Sequence, residues 1–179
     1  MQQRLLLDSN LLQITILRLC QQLIESHDDF RNSVIIGLQP RGIFLANRIK
    51  SVLETLQENK LHLGYLDPTF HRDDFRRREQ PLRPAETRID FAIEGKNVIL
   101  VDDVLYTGRS VRAALDAMST FGRPNKVEYL VLIDRLYSRD VPIEANYIGK
   151  KVNTLHSQRV KVELKEQGGE DNIWLMNKS

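Results

Sequence analysis

The sequence predicts an α/β domain, a parallel sheet flanked by helices, and three observations carry that expectation. Short aliphatic runs, SVIIGLQ at 33–39, VILV at 98–101 and VEYLVLIDR at 127–135, have the composition of strands buried on both faces. Segments with apolar residues at helical spacing lie between or before them. The first two runs lead through a glycine-containing turn into such a segment, and open α/β sheets bind their ligands at these carboxyl ends of strands.

Taken in order, Asp8 has the side chain to cap a helix running through about Glu25, with Leu12, Ile16, Leu19 or Cys20, and Leu23 as its buried stripe. The strand at 33–39 is followed by Pro40, Arg41 and Gly42, then by a helix carrying Phe44, Leu45, Ile49, Val52, Leu53 and Leu56. A turn with Arg41 and Gly42 at a strand's carboxyl edge is a place to hold an anion. LHLGYLD at 61–67 is a third strand. Hydrophobic periodicity stops in TFHRDDFRRREQPLRP at 69–84; between 72 and 88 fall Arg72, Arg76, Arg77, Arg78, Arg83 and Arg88 against Asp73, Asp74, Glu79 and Glu86, and Pro81 and Pro84 oppose a regular helix. A flexible loop over about 69–88 is expected.

The central stretch is VILVDDVLYTGRS at 98–110. Asp102 and Asp103 follow the aliphatic run, and Thr107, Gly108, Arg109 and Ser110 lead into a helix with Val111, Ala114, Leu115 and Met118 on its apolar face. Glycine lets the backbone come close, hydroxyls and amides donate, and the helix start is positive, so the loop suits an anion. Carboxylates for sugar hydroxyls beside a loop for phosphate suit a phosphorylated ribose. A nucleoside triphosphatase would need a GxxxxGK[ST] that the chain lacks, and a receiver domain carries its acidic pair on the first strand. A core strand ending in a solvated turn remains the plainer alternative.

Farther on, Gly122, Arg123 and Pro124 break the chain before the strand at 127–135, which ends in Asp134 and Arg135. ANYIGKKV and QRVKVEL are strands too short and polar for a core of their own, and Trp174 covers a sheet edge or core margin. His27, His62, His71 and His156 have neither metal-ligand nor triad spacing.

At 179 residues, 41% hydrophobic and 28% charged, the composition is that of one globular domain. No apolar stretch approaches the ~20 residues that span a bilayer. MQQRLLLDSN lacks the features of a secretory signal, so the cytoplasm is the expected location and no membrane partner is expected. A net charge of +2 does not announce a nucleic-acid binder. Cys20 stands alone among Leu17, Leu19, Leu23 and Ile24 as a small core hydrophobe.

The aliphatic run, the acidic pair and Thr-Gly-x-Ser together resemble the phosphoribosyl pyrophosphate (PRPP) motif of type I phosphoribosyltransferases. The blocks GLQPRGI, TFHRDDF, VILVDDVLYTGRSVRAALDAM, GRPNKVEYLVLIDR and ANYIGK resemble the PyrR branch of that family, pyrimidine-operon attenuators that are also uracil phosphoribosyltransferases. That resemblance implies one domain over 1–179, with a hood at about 136–179 completed by the N-terminal segment. It implies conversion of uracil and PRPP to UMP and pyrophosphate, with Mg2+ bound through PRPP and no firm protein ligand. Asp102 and Asp103 would be the catalytic pair. The nucleotide would be held by Arg41, Gly42, Arg72, Val104, Leu105, Tyr106, Thr107, Gly108, Arg109, Ser110 and Arg135. The further implications are a homodimer or higher homo-oligomer and, as the second reading, a UMP-sensing regulator that binds pyrimidine-operon leader RNA through Arg18 and Lys150. Here the chain departs from the branch, with Leu17, Gln21, Leu136 and Tyr137 where its RNA-binding members carry polar or basic contacts.

Overall fold

The protein is described by a computed structural model over residues 3–73 and 84–177. In chain order it forms strand β1 (Gln3–Leu7), helix α1 (Ser9–His27), β2 (Ser33–Leu38), α2 (Gly42–Gln57), β3 (Leu63–Leu66), β4 (Asn97–Leu105), α3 (Arg109–Met118), β5 (Lys126–Leu136), β6 (Tyr147–Asn153), β7 (Gln158–Glu163) and β8 (Asn172–Asn177). Five strands make a parallel sheet in the order β3-β2-β4-β5-β6, and β1-β8-β7 make a separate antiparallel sheet.

The central strands read as continuous apolar runs because both faces of the parallel sheet are covered. All six residues of β2 are buried, as is the unbroken stretch Glu128 to Arg135 of β5. On one face Ile35, Ile99, Val101, Leu130 and Leu132 pack with α1, α2 and the apolar side of the β1-β8-β7 sheet. On the other, Leu100, Tyr129 and Val131 pack with Val111, Ala114, Ala117 and Met118 of α3. The α1 stripe is buried as expected, Leu19 and Cys20 both included, and Asp8 caps the helix by accepting from Leu11 N at 2.8 Å. Burial pushes the Cys20 thiol up to about 12, so this sulfur is an inert part of the core.

Three sequence-based expectations change. β4 runs on through Leu105, so the acidic pair lies within the strand rather than after it, because Val104 and Leu105 continue the ladder with Ile133 and Asp134. The segment from about 136 onward divides: β6 joins the parallel sheet beside β5, and only β7 and β8 join β1 in the second sheet. Leu115 lies on the outer side of α3, 37% exposed. Of the loop expected at about 69–88, the structure describes a 3-10 turn at Thr69–His71 and an antiparallel bridge between Tyr65 and Arg88. Residues 74–83, with Arg76, Arg77, Arg78 and Arg83, lie outside the described residues.

Candidate functional site

The strand order reverses direction between β2 and β4, and the carboxyl ends of these two neighbours carry Arg41-Gly42 and Asp102-Asp103. This is the crevice position of open α/β sheets. Gly42 is required there. A Cβ on it would lie 2.3 Å from Val101 O and 2.9 Å from Asp102 Cα, so only glycine lets the start of α2 come this close to β4.

Strand alternation sends the two acids to opposite faces. Asp103 points to the α2 side, where Arg41 Nε is 3.0 Å from its Oδ2. Asp102 points to the α3 side, where Oδ1 accepts from Asp103 N at 2.8 Å and Oδ2 lies 3.4 Å from the Tyr129 hydroxyl. Burial, and then the neighbouring Asp103 charge, push the Asp102 carboxyl well above the usual carboxylate range. Burial also raises Asp103, with the Arg41 guanidinium acting against the rise.

The loop after β4 turns at Gly108, whose φ of +86° falls in the left-handed region and so favours glycine. It is held from two sides. The amides of Asp140 and Val141 donate to Thr107 O at 2.9 and 3.3 Å. Arg139 donates to Tyr106 O at 2.7 Å and to Arg135 O at 3.0 Å, and it also pairs with Asp134. Arg72, at the end of the 3-10 turn, donates from Nη1 to Ser110 Oγ at 2.8 Å. Arg72, Val104, Leu105, Tyr106, Thr107, Gly108, Ser110, Val111 and Tyr129 thereby enclose a cavity of about 130 Å³. Amides at the first turn of α3 and a guanidinium on one small cavity make it suited to a phosphate group.

Of the residues singled out in the sequence, Val104 to Gly108, Ser110 and Arg72 line this cavity; Arg41 and Asp103 pair on the α2 side, and Asp102 meets the cavity through its contact with Tyr129. Arg109 is turned outward to Asp140, at 2.9 Å, and to Asp73. Arg135 has a different place from the one expected. Neighbours in a strand face opposite ways, and Asp134 pairs with Arg139. Arg135 is buried, with its guanidinium 3.8 Å above the centre of the Tyr106 ring, and donates to Thr154 Oγ1 and Gln158 O at 3.0 Å each. It therefore supports the loop from behind. Arg18 Nη2 donates to Gly149 O of β6 at 2.6 Å, and Lys150 Nζ, from β6, donates to Leu6 O of β1 at 2.8 Å.

Tyr129 and Arg139 escaped the sequence reading. A tyrosine within an aliphatic strand was the available signal, since a buried hydroxyl needs a partner. Arg139 carried no signal, because the turn that brings it to Asp134, Arg135 and Ile143, and to the distant Tyr106 carbonyl, has no distinctive sequence pattern. Among the described residues no helix is long and apolar enough to cross a membrane, and no three His, Cys, Asp or Glu side chains group to hold a metal ion.

The model of the phosphoribosyl transferase domain family matches residues 3–167. A protein from Microcystis aeruginosa named bifunctional protein PyrR is 44% identical over 162 residues, covering 90% of each chain. A protein of the same name from Elusimicrobium minutum is 40% identical over 178 residues, covering 99% of this chain and 98% of its own. In fold, the chain is similar to a hypoxanthine-guanine phosphoribosyltransferase from Bacillus anthracis, with a TM-score of 0.72 at 18% identity over 97% of this chain and 98% of that one. The hypoxanthine phosphoribosyltransferase of Trypanosoma cruzi gives 0.74 at 14% identity, over 98% and 97%.

Proposed function

The chain belongs to the phosphoribosyl transferase domain family and, within it, to the bifunctional PyrR proteins, and from that premise we propose that it transfers phosphoribosyl from PRPP to uracil, giving UMP and pyrophosphate. The observation that carries the proposal is that the carboxyl ends of the neighbouring strands β2 and β4 carry an acidic pair, one acid held by Arg41, followed by a glycine-turned loop at a helix start with Arg72 against it.

In the proposed reaction the C1′–oxygen bond to pyrophosphate breaks as the bond from uracil N1 to C1′ forms, and N1 loses its proton. C1′ passes through an oxocarbenium-like state, the kind of cation that glycoside cleavage makes. Asp102 and Asp103 would bind the ribose hydroxyls and offset that charge. The amides and hydroxyls from Thr107 to Ser110 would anchor the 5′-phosphate, fixing C1′ over the acids. Arg41 and Arg72 would neutralise the departing pyrophosphate. Magnesium would arrive with PRPP as part of the substrate and would supply charge neutralisation and a template. The test is UMP formation by the purified chain from uracil and PRPP, with hypoxanthine as the competing base. Absence of turnover with uracil overturns the reading, and preference for hypoxanthine overturns the assigned base.

A second reading, a UMP-sensing regulator of pyrimidine-operon RNA in the cytoplasm, has one structural support. A cleft of about 620 Å³ between β1 and β6 is lined by Arg4, Lys150 and Lys151, without an acidic residue among its lining. Its basic character suits a phosphate backbone. The proposed oligomer is a homodimer or a higher homo-oligomer, to be read by light scattering.

A further inference from the structure

Tyr129 is the one residue that β5 contributes to the wall of the phosphate-loop cavity, and its hydroxyl lies 3.4 Å from Asp102 Oδ2. The two acids are thus held in different ways. Asp103 faces α2 and has a cation, Arg41. Asp102 faces the α3 layer, where it accepts from a backbone amide at Oδ1 and from Tyr129 at Oδ2. The amide belongs to the strand itself, so Tyr129 is the side chain through which the neighbouring strand can orient this carboxylate.

Packing alone does not call for the hydroxyl. The ring is buried, 4% exposed, among Leu100, Val131, Val111 and Ala114, where an aliphatic or a phenylalanine would fill the space without a polar atom to satisfy. We infer that Tyr129 is a positioning residue, whose hydroxyl holds Asp102 Oδ2 so that the carboxylate stays ionised and aimed at the sugar. Hydrogen bonds of this length in a ligand-free site tighten when the reactants bind. The inference rests on the proposed assignment of Asp102 to the ribose.

The groups that set the charge of Asp102 are Asp103 on its own strand and Tyr129 on β5, with Arg41 facing Asp103 from α2 and Arg139 acting on Tyr129 from the turn after β5. A hydroxyl donated to a carboxylate favours the ionised form. Without it Asp102 takes up its proton at higher pH, and binding that needs the anion is lost earlier as pH falls.

The experiment compares wild type, Tyr129→Phe and Tyr129→Leu for PRPP affinity by calorimetry in magnesium and for kcat/KM toward PRPP, both across pH. The expected result is an acid limb displaced to higher pH in both variants, with about a tenfold loss at its foot and values approaching wild type at the alkaline end. In an Asp102→Asn background, Tyr129→Phe should have no further effect. Unmoved limbs, or a loss equal at every pH, overturn the inference, the second because it marks a merely structural tyrosine. Should Tyr129→Leu fail to fold, Tyr129→Phe decides alone, and the reverse holds. Wild-type protein that binds PRPP but makes no UMP overturns the transferase reading while the binding data still judge Tyr129. Wild-type protein that does not bind PRPP overturns both.

Discussion

Arg41 Nε stands 3.0 Å from Asp103 Oδ2 while its Nη2 donates to Val162 O at 2.8 Å, so one guanidinium joins the acid of the parallel sheet to strand β7 of the second sheet. A pyrophosphate arriving in the crevice would compete with both partners for the same cation. Arg41→Ala is expected to lower kcat/KM for PRPP by about a hundredfold, on the scale of other lost charge-stabilising contacts. Because the side chain is 45% exposed, the loss in stability should stay below about 1 kcal/mol. Steady-state kinetics beside a thermal melt separates the two effects. A variant with wild-type kinetics removes Arg41 from the pyrophosphate site.

Replacing Asp102 and Asp103 together with Asn should abolish transfer, by at least about a hundredfold, and leave the fold intact. Both carboxyls are held above the usual range, so the folded state binds these protons more tightly than the unfolded one. Their favourable contribution is complete below the ordinary carboxylate range and is lost as pH rises through the elevated folded values. The double variant should therefore melt at or above the wild-type temperature at neutral pH, by roughly 2–4 °C for each 1 kcal/mol relieved. That advantage should vanish in acid. A variant less stable than wild type at neutral pH contradicts the electrostatic account.

Gly42→Ala sets a methyl against backbone, which cannot swing away as a flexible side chain would. The expected cost is about 2 kcal/mol or more, with a fall in PRPP affinity because α2 and Arg41 must shift together. Circular dichroism melts and calorimetry read the two losses. An unchanged melt would mean that α2 can retreat from β4 freely.

Arg135→Ala should destabilise by about 3 kcal/mol, since it leaves the Gln158 carbonyl and the Thr154 hydroxyl without their donor and the Tyr106 ring without its cation. Added substrate should restore only part of the lost activity. If a full loss of activity came with an unaltered melt, Arg135 would belong to the nucleotide contacts after all.

For RNA, Leu17 and the exposed Tyr137 leave apolar or aromatic groups where phosphate contacts would be needed, and Arg18 and Lys150 already donate to carbonyls of β6 and β1. Weak binding of a pyrimidine-operon hairpin is expected, falling steeply with salt and little different for a scrambled control. Titrations at two salt concentrations, with and without UMP, measure this. Tight, UMP-enhanced, hairpin-selective binding at the higher salt would make regulation the leading function.

The central βα units were legible in the sequence because strands covered on both faces must be aliphatic throughout, and the Asp8 cap and Val98–Val101 run are local signals of that kind. The glycine turn into α3 was legible as well, since glycine at a positive φ and a helix start are properties of a few consecutive residues. Partnership between distant residues was not. That Asp103 faces Arg41 and Asp102 faces Tyr129 follows from strand parity combined with which strand lies alongside, and strand order is a property of the folded sheet. Likewise the pattern of Tyr147–Asn153 fits a strand of either sheet, and only its parallel pairing with β5 assigned it to the larger one. Arg135 shows the same division: the sequence placed a cation at a strand end, while only the tertiary structure showed it buried over Tyr106, with Asp134 given to Arg139.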